Sequence, residues 1–183
     1  MNVAVCAYGA GNVRSVVAAF RRLGANAFVT SSATEVAGAD VAVLPGVGSA
    51  ASAMAGLRER GLDDALRKRV DEGRATLGIC LGLQLALDES EEDGGVAGLG
   101  ILPGRARRLA AGRVPRIGWA AVEPGGEAFY FAHSYAAETP AATASSEGVV
   151  AIAEAGSFLG VQFHPEKSGA AGARFLAGCL SRV

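Results

Sequence analysis

The chain is poor in several residue types, and each shortage narrows what it can be. Cysteine occurs three times, at Cys6, Cys80 and Cys179, with no C-x-x-C pair. An odd number of widely spaced thiols argues against a disulfide framework and against a zinc knuckle, and it points to a reducing, cytoplasmic setting. Charge of one sign is not in excess: 17 Lys and Arg stand against 18 Asp and Glu. No basic stripe or cationic tail suggests nucleic acid or an anionic membrane as partner. No apolar run approaches the roughly 20 residues that span a bilayer. The opening MNVAVCAYGAGN lacks a basic segment followed by a long apolar one, so it reads as a first strand rather than a signal peptide. Internal repeats and low-complexity linkers are also missing. What remains is a chain of 183 residues, half of them apolar, which is the size of one domain with a sizeable core.

Hydrophobic patterning then gives the organisation. Residues 3–7 form an apolar run that stops at Tyr8-Gly9-Ala10-Gly11, as a buried strand followed by a tight turn would. Val13, Val16, Val17, Phe20 and Leu23 recur at helical spacing, with Asn12 placed as N-cap. Residues 27–30 and 41–44 are further strands, the second halted by Pro45-Gly46-Val47-Gly48. Leu62, Ala65, Leu66 and Val70 mark an amphipathic helix that leaves Arg69 at the edge of its apolar stripe. A buried strand at 75–79 runs into Cys80, and 81–87 is the helix after it. Alternation of buried strand and helix implies a parallel sheet covered on both faces. Beyond residue 100 the pattern changes to shorter strands at 105–109, 117–122, 129–133, 142–145, 149–153 and 158–163. A closing helix at 172–182 carries Phe175, Leu176, Cys179 and Leu180 on one face. The expected fold is a single three-layer α/β domain over residues 1–183. Its sheet is mixed and centrally parallel, related to the flavodoxin arrangement, and its mixed part lies in the second half.

Cys80 stands out because of its surroundings, Leu77-Gly78-Ile79-Cys80-Leu81-Gly82-Leu83-Gln84. Glycines two residues to either side of a nucleophilic residue, between strand and helix, describe a nucleophile elbow. Small neighbours let strand and helix approach each other closely. The helix N-terminus favours thiolate over thiol, and the Leu81 N–H is free to stabilise an oxyanion. Cys6, inside the first strand, and Cys179, on an apolar helix face, read instead as core cysteines.

His164 lies in Gly160-Val161-Gln162-Phe163-His164-Pro165-Glu166, at the end of an apolar run that proline terminates. The bend at Pro165 can bring Glu166 to one imidazole nitrogen, fixing the tautomer. The other nitrogen is then available to the thiol as base, and later to the leaving group as acid. Cys80 and His164 both follow strands, and the carboxyl ends of strands in a parallel sheet are where sites form.

Together, G-I-C-L-G-L-Q and Q-F-H-P-E resemble the class I, triad-type glutamine amidotransferases. Six further segments are similar to the glutaminase subunits of imidazole glycerol phosphate synthases: Tyr8 to Ser15, Leu44 to Gly48, Ser90-Glu91-Glu92, Val114 to Trp119, Phe129 to Tyr135 and His164 to Gly169. The resemblance runs nearly end to end. It implies a ping-pong hydrolysis of L-glutamine through a thioester on Cys80, with His164 and Glu166 completing the triad and no metal or organic cofactor. Ammonia would pass to a (β/α)8-barrel cyclase subunit, in a heterodimer serving histidine biosynthesis. The resemblance also implies oxyanion donors at the Val47 and Leu81 N–H groups. It implies substrate contacts from Gly46, Gly48, Gln84, Glu92, Ser134 and Tyr135, and cyclase-facing positions at Asn12, Ser15, Trp119 and Lys167. His133 is expected to be structural or substrate-adjacent rather than the base. The chain departs from the family pattern at Arg116, where histidine is usual, at Ala120, where asparagine is frequent, and at Ser145-Ser146, where Tyr-Gly is expected. The flexible Pro-Gly-Val-Gly segment suggests a glutaminase that is poor alone and activated by the liganded cyclase. Alternatives are a glutaminase serving pyridoxal phosphate or anthranilate synthesis, and a non-catalytic redox or regulatory module of the same fold.

Overall fold

In the computed structural model the described residues are 1–9, 11–110 and 114–182, so Ala10 of the first turn lies outside them. The chain runs β1 (Asn2–Cys6), α1 (Val13–Arg22), β2 (Asn26–Thr30), α2 (Ala33–Gly38), β3 (Val41–Leu44), α3 (Ala50–Glu59), α4 (Leu62–Asp71), β4 (Thr76–Ile79) and α5 (Leu81–Leu85). The second half contributes β5 (Glu89–Ser90), β6 (Val96–Ala97), β7 (Arg105–Arg108), β8 (Arg116–Val122), β9 (Glu127–His133), β10 (Tyr135–Glu138), β11 (Ala142–Ser146), β12 (Val149–Ala155), β13 (Phe158–Val161) and α6 (Gly169–Leu180).

Seven strands form the central sheet, in the order β11-β12-β13-β4-β3-β1-β2. From β13 through β2 every pairing is parallel, whereas β11–β12 and β12–β13 are antiparallel, so the mixed part does fall in the second half. Residues along β1 alternate between two cores, as the pleat requires. Val3 and Val5 join Val16 and Phe20 of α1, Phe129 and Phe131 of β9 and Leu176 of α6. Ala4 and Cys6 join Val36 of α2, Met54 and Leu57 of α3, Leu66 of α4 and Leu85 of α5. These are the three expected layers. A small second sheet (β10-β7-β5-β6) and the β8–β9 hairpin lie outside the central one.

Several sequence expectations need correction. Asn12 stands at the N-cap position of α1, but its side chain makes no capping hydrogen bond. The last helix begins at Gly169 rather than 172 and ends at Leu180. Arg69 is not at a stripe's edge: it is 0% exposed. Its Nη1 donates to the carbonyls of Val36, Ala37 and Ala39, and its Nη2 to those of Asp40 and Ala75. The guanidinium thus satisfies the carbonyls at the end of α2 and ties them to the start of β4. Burial lowers its pKa to about 10, which leaves it charged at neutral pH.

Candidate active site

The adjacent ends of β4 and β13 set up the site. The two strands pair in register, Gly160 with Gly78 and Val161 with Ile79, so the residues that follow them emerge side by side. Cys80 leaves β4 with φ 54° and ψ −107°, a positive φ that side-chain-bearing residues avoid, and its N–H donates to Val161 O at 2.7 Å. The turn can be this tight only because glycine flanks it. A Cβ on Gly82 would lie 1.9 Å from Leu44 O, and one on Gly46 would lie 2.5 Å from the Leu81 side chain. At the first turn of α5 the Leu81 N–H has no acceptor within the helix.

From the end of β13, His164 Nδ1 meets Glu166 Oε1 at 2.9 Å, and both side chains are only 2% exposed. His164 Nε2 has no hydrogen-bond partner, nor does Glu166 Oε2. The Cys80 thiol lies close enough to the imidazole to act on its charge. Burial by itself would lower the histidine's pKa, but contacts and charge from Cys80 and Glu166 outweigh it and hold it up at about 9. Sequence-distant Cys80, His164 and Glu166 are therefore brought together. Around the sulfur, Gln162 Nε2 donates to Sγ at 3.5 Å, and Sγ lies 3.7 Å from Ala132 O. Among the described residues no group of three or more His, Cys, Asp or Glu side chains is placed to hold a metal ion.

A glutamine amidotransferase class-I family model matches residues 4–182. The imidazole glycerol phosphate synthase subunit HisH of Chlorobaculum tepidum is 43% identical, over 95% of this chain and 96% of its own. The HisH subunit of Methanothermobacter thermautotrophicus is 45% identical, over 93% of each chain. The chain belongs to the HisH family of class-I glutamine amidotransferases. A crystal structure of a glutamine amidotransferase superposes on it with a TM-score of 0.81 at 26% identity, covering 99% of both chains.

In this HisH-family chain the residues implied as substrate contacts are not all free. Gln84 is buried, and its Nε2 donates to Tyr135 O at 2.7 Å and to Gln162 Oε1 at 3.2 Å. Both of its N–H donors are thereby used, which leaves its carbonyl oxygen for a ligand. Tyr135 O also meets His133 Nδ1 at 2.9 Å, with Ser134 in the bend between β9 and β10. Glu92 caps a helix: its Oε2 accepts from Ala50 N, at the start of α3, at 2.9 Å. Burial raises its pKa, partly countered by that hydrogen bond. Gly46 is buried against Leu81, whereas Val47 is exposed and Gly48 has φ +108°. Tyr8 is buried, and its hydroxyl donates to the carbonyl of Pro45, which anchors the start of this segment.

Contacts connect the elements that carry Trp119, Lys167 and Ser15, three of the four positions implied to face a partner. Trp119 on β8 is 58% exposed, with Ile117 beside it at 63%. The Trp119 ring meets Tyr130 edge-on, Lys167 Nζ lies 5.9 Å from the same tyrosine ring, and the helix bearing Ser15 packs against the Pro165–Lys167 turn, with Asn12 exposed just before it. Two of the sequence departures touch. Arg116 Nη2 reaches Ser146 Oγ at 2.8 Å and Glu147 Oε2 at 2.9 Å, and its guanidinium lies over Phe131. His133 is buried with its Nε2 unpartnered, and burial lowers its pKa to about 4. The most informative residue that sequence reasoning missed is Gln162. It sits inside the Q-F-H-P-E motif, but nothing in the one-dimensional string aims it at the sulfur.

Proposed function

We propose that the chain, residues 1–183 acting as one unit, hydrolyses L-glutamine to L-glutamate and ammonia through a thioester on Cys80. The observation that carries this reading is the convergence of Cys80, His164 and Glu166 at a strained strand–helix turn, with the imidazole's second nitrogen open. The Cys80 sulfur attacks the side-chain amide of glutamine. His164 delivers its proton to the departing ammonia, and Glu166 holds the ring and its charge. His164 then takes a proton from water as the water attacks the thioester, and Cys80 leaves as glutamate is released. The Leu81 and Val47 N–H groups are the oxyanion donors, each contributing about 3 kcal/mol to the transition state. Gly46, Gly48, Gln84, Glu92, Ser134 and Tyr135 bind the substrate, with Gln84 acting through its oxygen and Glu92 through its charge.

The exposed Trp119 and Ile117, with Lys167, Asn12 and Ser15 around them, are the docking face for a (β/α)8-barrel cyclase subunit. That subunit takes the ammonia to make imidazole glycerol phosphate in cytoplasmic histidine biosynthesis. Kinship with HisH subunits supports this partner, and an exposed tryptophan beside an exposed isoleucine fits an interface anchor. No helix among the described residues is long and apolar enough to cross a membrane. The glycine-flanked Val47 peptide is the element that the liganded cyclase would set in place. The test is ammonia release with and without a candidate cyclase and its ligand. Wild type should be slow alone and fast in the complex, and C80A inactive in both. Unchanged ammonia release in C80A would end this reading, and equal wild-type rates with and without cyclase would end the activation step.

A further inference from the structure

We propose that Gln162 is a positioning residue for the nucleophile: its side-chain N–H, aimed by Gln84 and the Tyr135 carbonyl, holds the Cys80 sulfur and favours the thiolate. The inference rests on the reading of Cys80 as nucleophile and adds a residue to it. Gln162 is fully buried, and its backbone N–H is already satisfied by Ala151 O at 2.9 Å. Its side chain therefore answers to its amide neighbours alone. Gln162 lies in the bend that follows β13 and His164 just beyond it, and both reach the Cys80 sulfur's surroundings.

Three contacts decide which end of the Gln162 amide faces the sulfur. A backbone carbonyl can only accept, so Tyr135 O, 2.7 Å from Gln84, requires the Gln84 nitrogen on its side. The second N–H of that nitrogen goes to Gln162 Oε1 at 3.2 Å. With its oxygen so engaged, Gln162 presents its nitrogen to Sγ, 3.5 Å away. A hydrogen bond donated to the charged form of a group favours that form. One carbonyl thus orients two amides in series, and the series ends on the sulfur. It also ties the nucleophile to Gln84, a residue proposed above to bind the substrate.

The titratable groups near the sulfur are His164 with Glu166 behind it, Tyr8 from the end of β1, and His133 of β9 beyond His164. All are kept in the variants, so a comparison with wild type isolates Gln162. The measurement is the pH dependence of iodoacetamide alkylation of Cys80, located by peptide mass, together with kcat and KM for glutamine in the cyclase complex. Cys6 and Cys179 are buried, with pKa values raised to about 12 by burial, and do not compete. In Gln162→Leu the alkylation midpoint should rise by about one pH unit, the tenfold thiolate loss expected when a charge-assisted hydrogen bond is removed. kcat should fall about tenfold with it, and KM should change little. Gln162→Glu keeps the acceptor for Gln84 but puts a carboxylate oxygen against the sulfur, so the midpoint should rise further. Because it is nearly isosteric, it carries the test if Gln162→Leu does not fold. An unmoved midpoint in folded Gln162→Glu overturns the proposal, as does an activity loss in Gln162→Leu with no change in midpoint. A wild-type chain that neither alkylates at Cys80 nor releases ammonia with its cyclase would overturn the nucleophile reading and this one together. An active wild type with unmoved variants overturns only the role of Gln162.

Discussion

Strand β4 has a buried ionisable side chain at each end, and the two are treated in opposite ways. Before the strand, Arg69 spends both terminal nitrogens on five backbone carbonyls, and only its Nε lacks a partner. After the strand, Cys80 sits among polar atoms left open: His164 Nε2, Glu166 Oε2 and His133 Nε2 are all buried without partners. Leaving a buried polar atom unpaired costs about 1–3 kcal/mol, so folds rarely do it. Three of the six such atoms among the described residues lie on this side, near a residue with φ 54°, and the other three are guanidinium nitrogens of Arg69, Arg74 and Arg116. The satisfied end holds the fold, and the unsatisfied end is poised for chemistry.

The largest expected effect breaks the comparison at the open end. Glu166→Gln keeps shape and hydrogen-bonding capacity but removes the charge that supports the imidazolium. kcat in the cyclase complex should fall about 10³-fold or more, in line with the loss seen when a triad carboxylate becomes an amide. A fall of less than tenfold would mean that Glu166 does not support the catalytic imidazole. At the closed end the outcome should be reversed. Arg69→Met removes the donors to the Val36, Ala37 and Asp40 carbonyls, while Ala39 O keeps Arg74 and Ala75 O keeps the Ala42 N–H, lowering stability by about 3 kcal/mol in urea unfolding. kcat per folded molecule should stay within about twofold of wild type, since nothing at the elbow touches Arg69. A variant as stable as wild type would show that the carbonyl cluster contributes little.

The same contrast explains what could be read from the sequence. The elbow was legible because its determinants are local: glycines at Gly78 and Gly82, a strand on one side and a helix on the other. The His164–Glu166 contact was legible because two residues and a proline set its geometry. The burial of Arg69 was not legible, because its acceptors belong to α2, a six-residue helix with one buried apolar side chain, Val36, and no periodicity to betray it. α3 was missed for a related reason: in AASAMAGLRE only Met54 and Leu57 are large apolar residues, the rest of the buried face is Ala50, Ala53 and Gly56, and Gly56 approaches the Tyr8 carbonyl so closely that a Cβ would stand 2.0 Å from it. The small second sheet includes two strands of two residues each, too short to show alternation. Gln162 needed the β13–β4 register before its side chain could be placed. Arg116 and Ser146, separate oddities in the string, become one contact once β8 and β11 are folded together.

Between these effects lies the exposed counterpart of the buried cluster. Trp119→Ala should weaken binding of the cyclase about tenfold, a typical loss for an interface tryptophan. Glutaminase activity at saturating cyclase should be retained, because the ring touches Tyr130 and not the triad. Unchanged affinity in a titration would remove Trp119 from the docking face.

The smallest effect, a factor of two, tests the electrostatics of the open end. His164 is held above the ordinary histidine value, at about 9: burial pulls it down, and Cys80 and Glu166 more than make up the difference. Its pKa is raised on folding, so the stability it contributes is fully present below about pH 6.5 and is lost as pH rises through about 9. Activity that depends on a thiolate beside an imidazolium follows the same group. kcat/KM should hold level above neutrality and fall to half its plateau near pH 9, rather than near 6.5. His133, the chain's other histidine, is pulled down to about 4 by burial and titrates well outside this window. Glu166→Gln removes one of the two supports, so in that variant the residual activity should lose half its value at a pH closer to neutral. An alkaline limb in the same place for both proteins would show that Glu166 orients the ring without holding its proton.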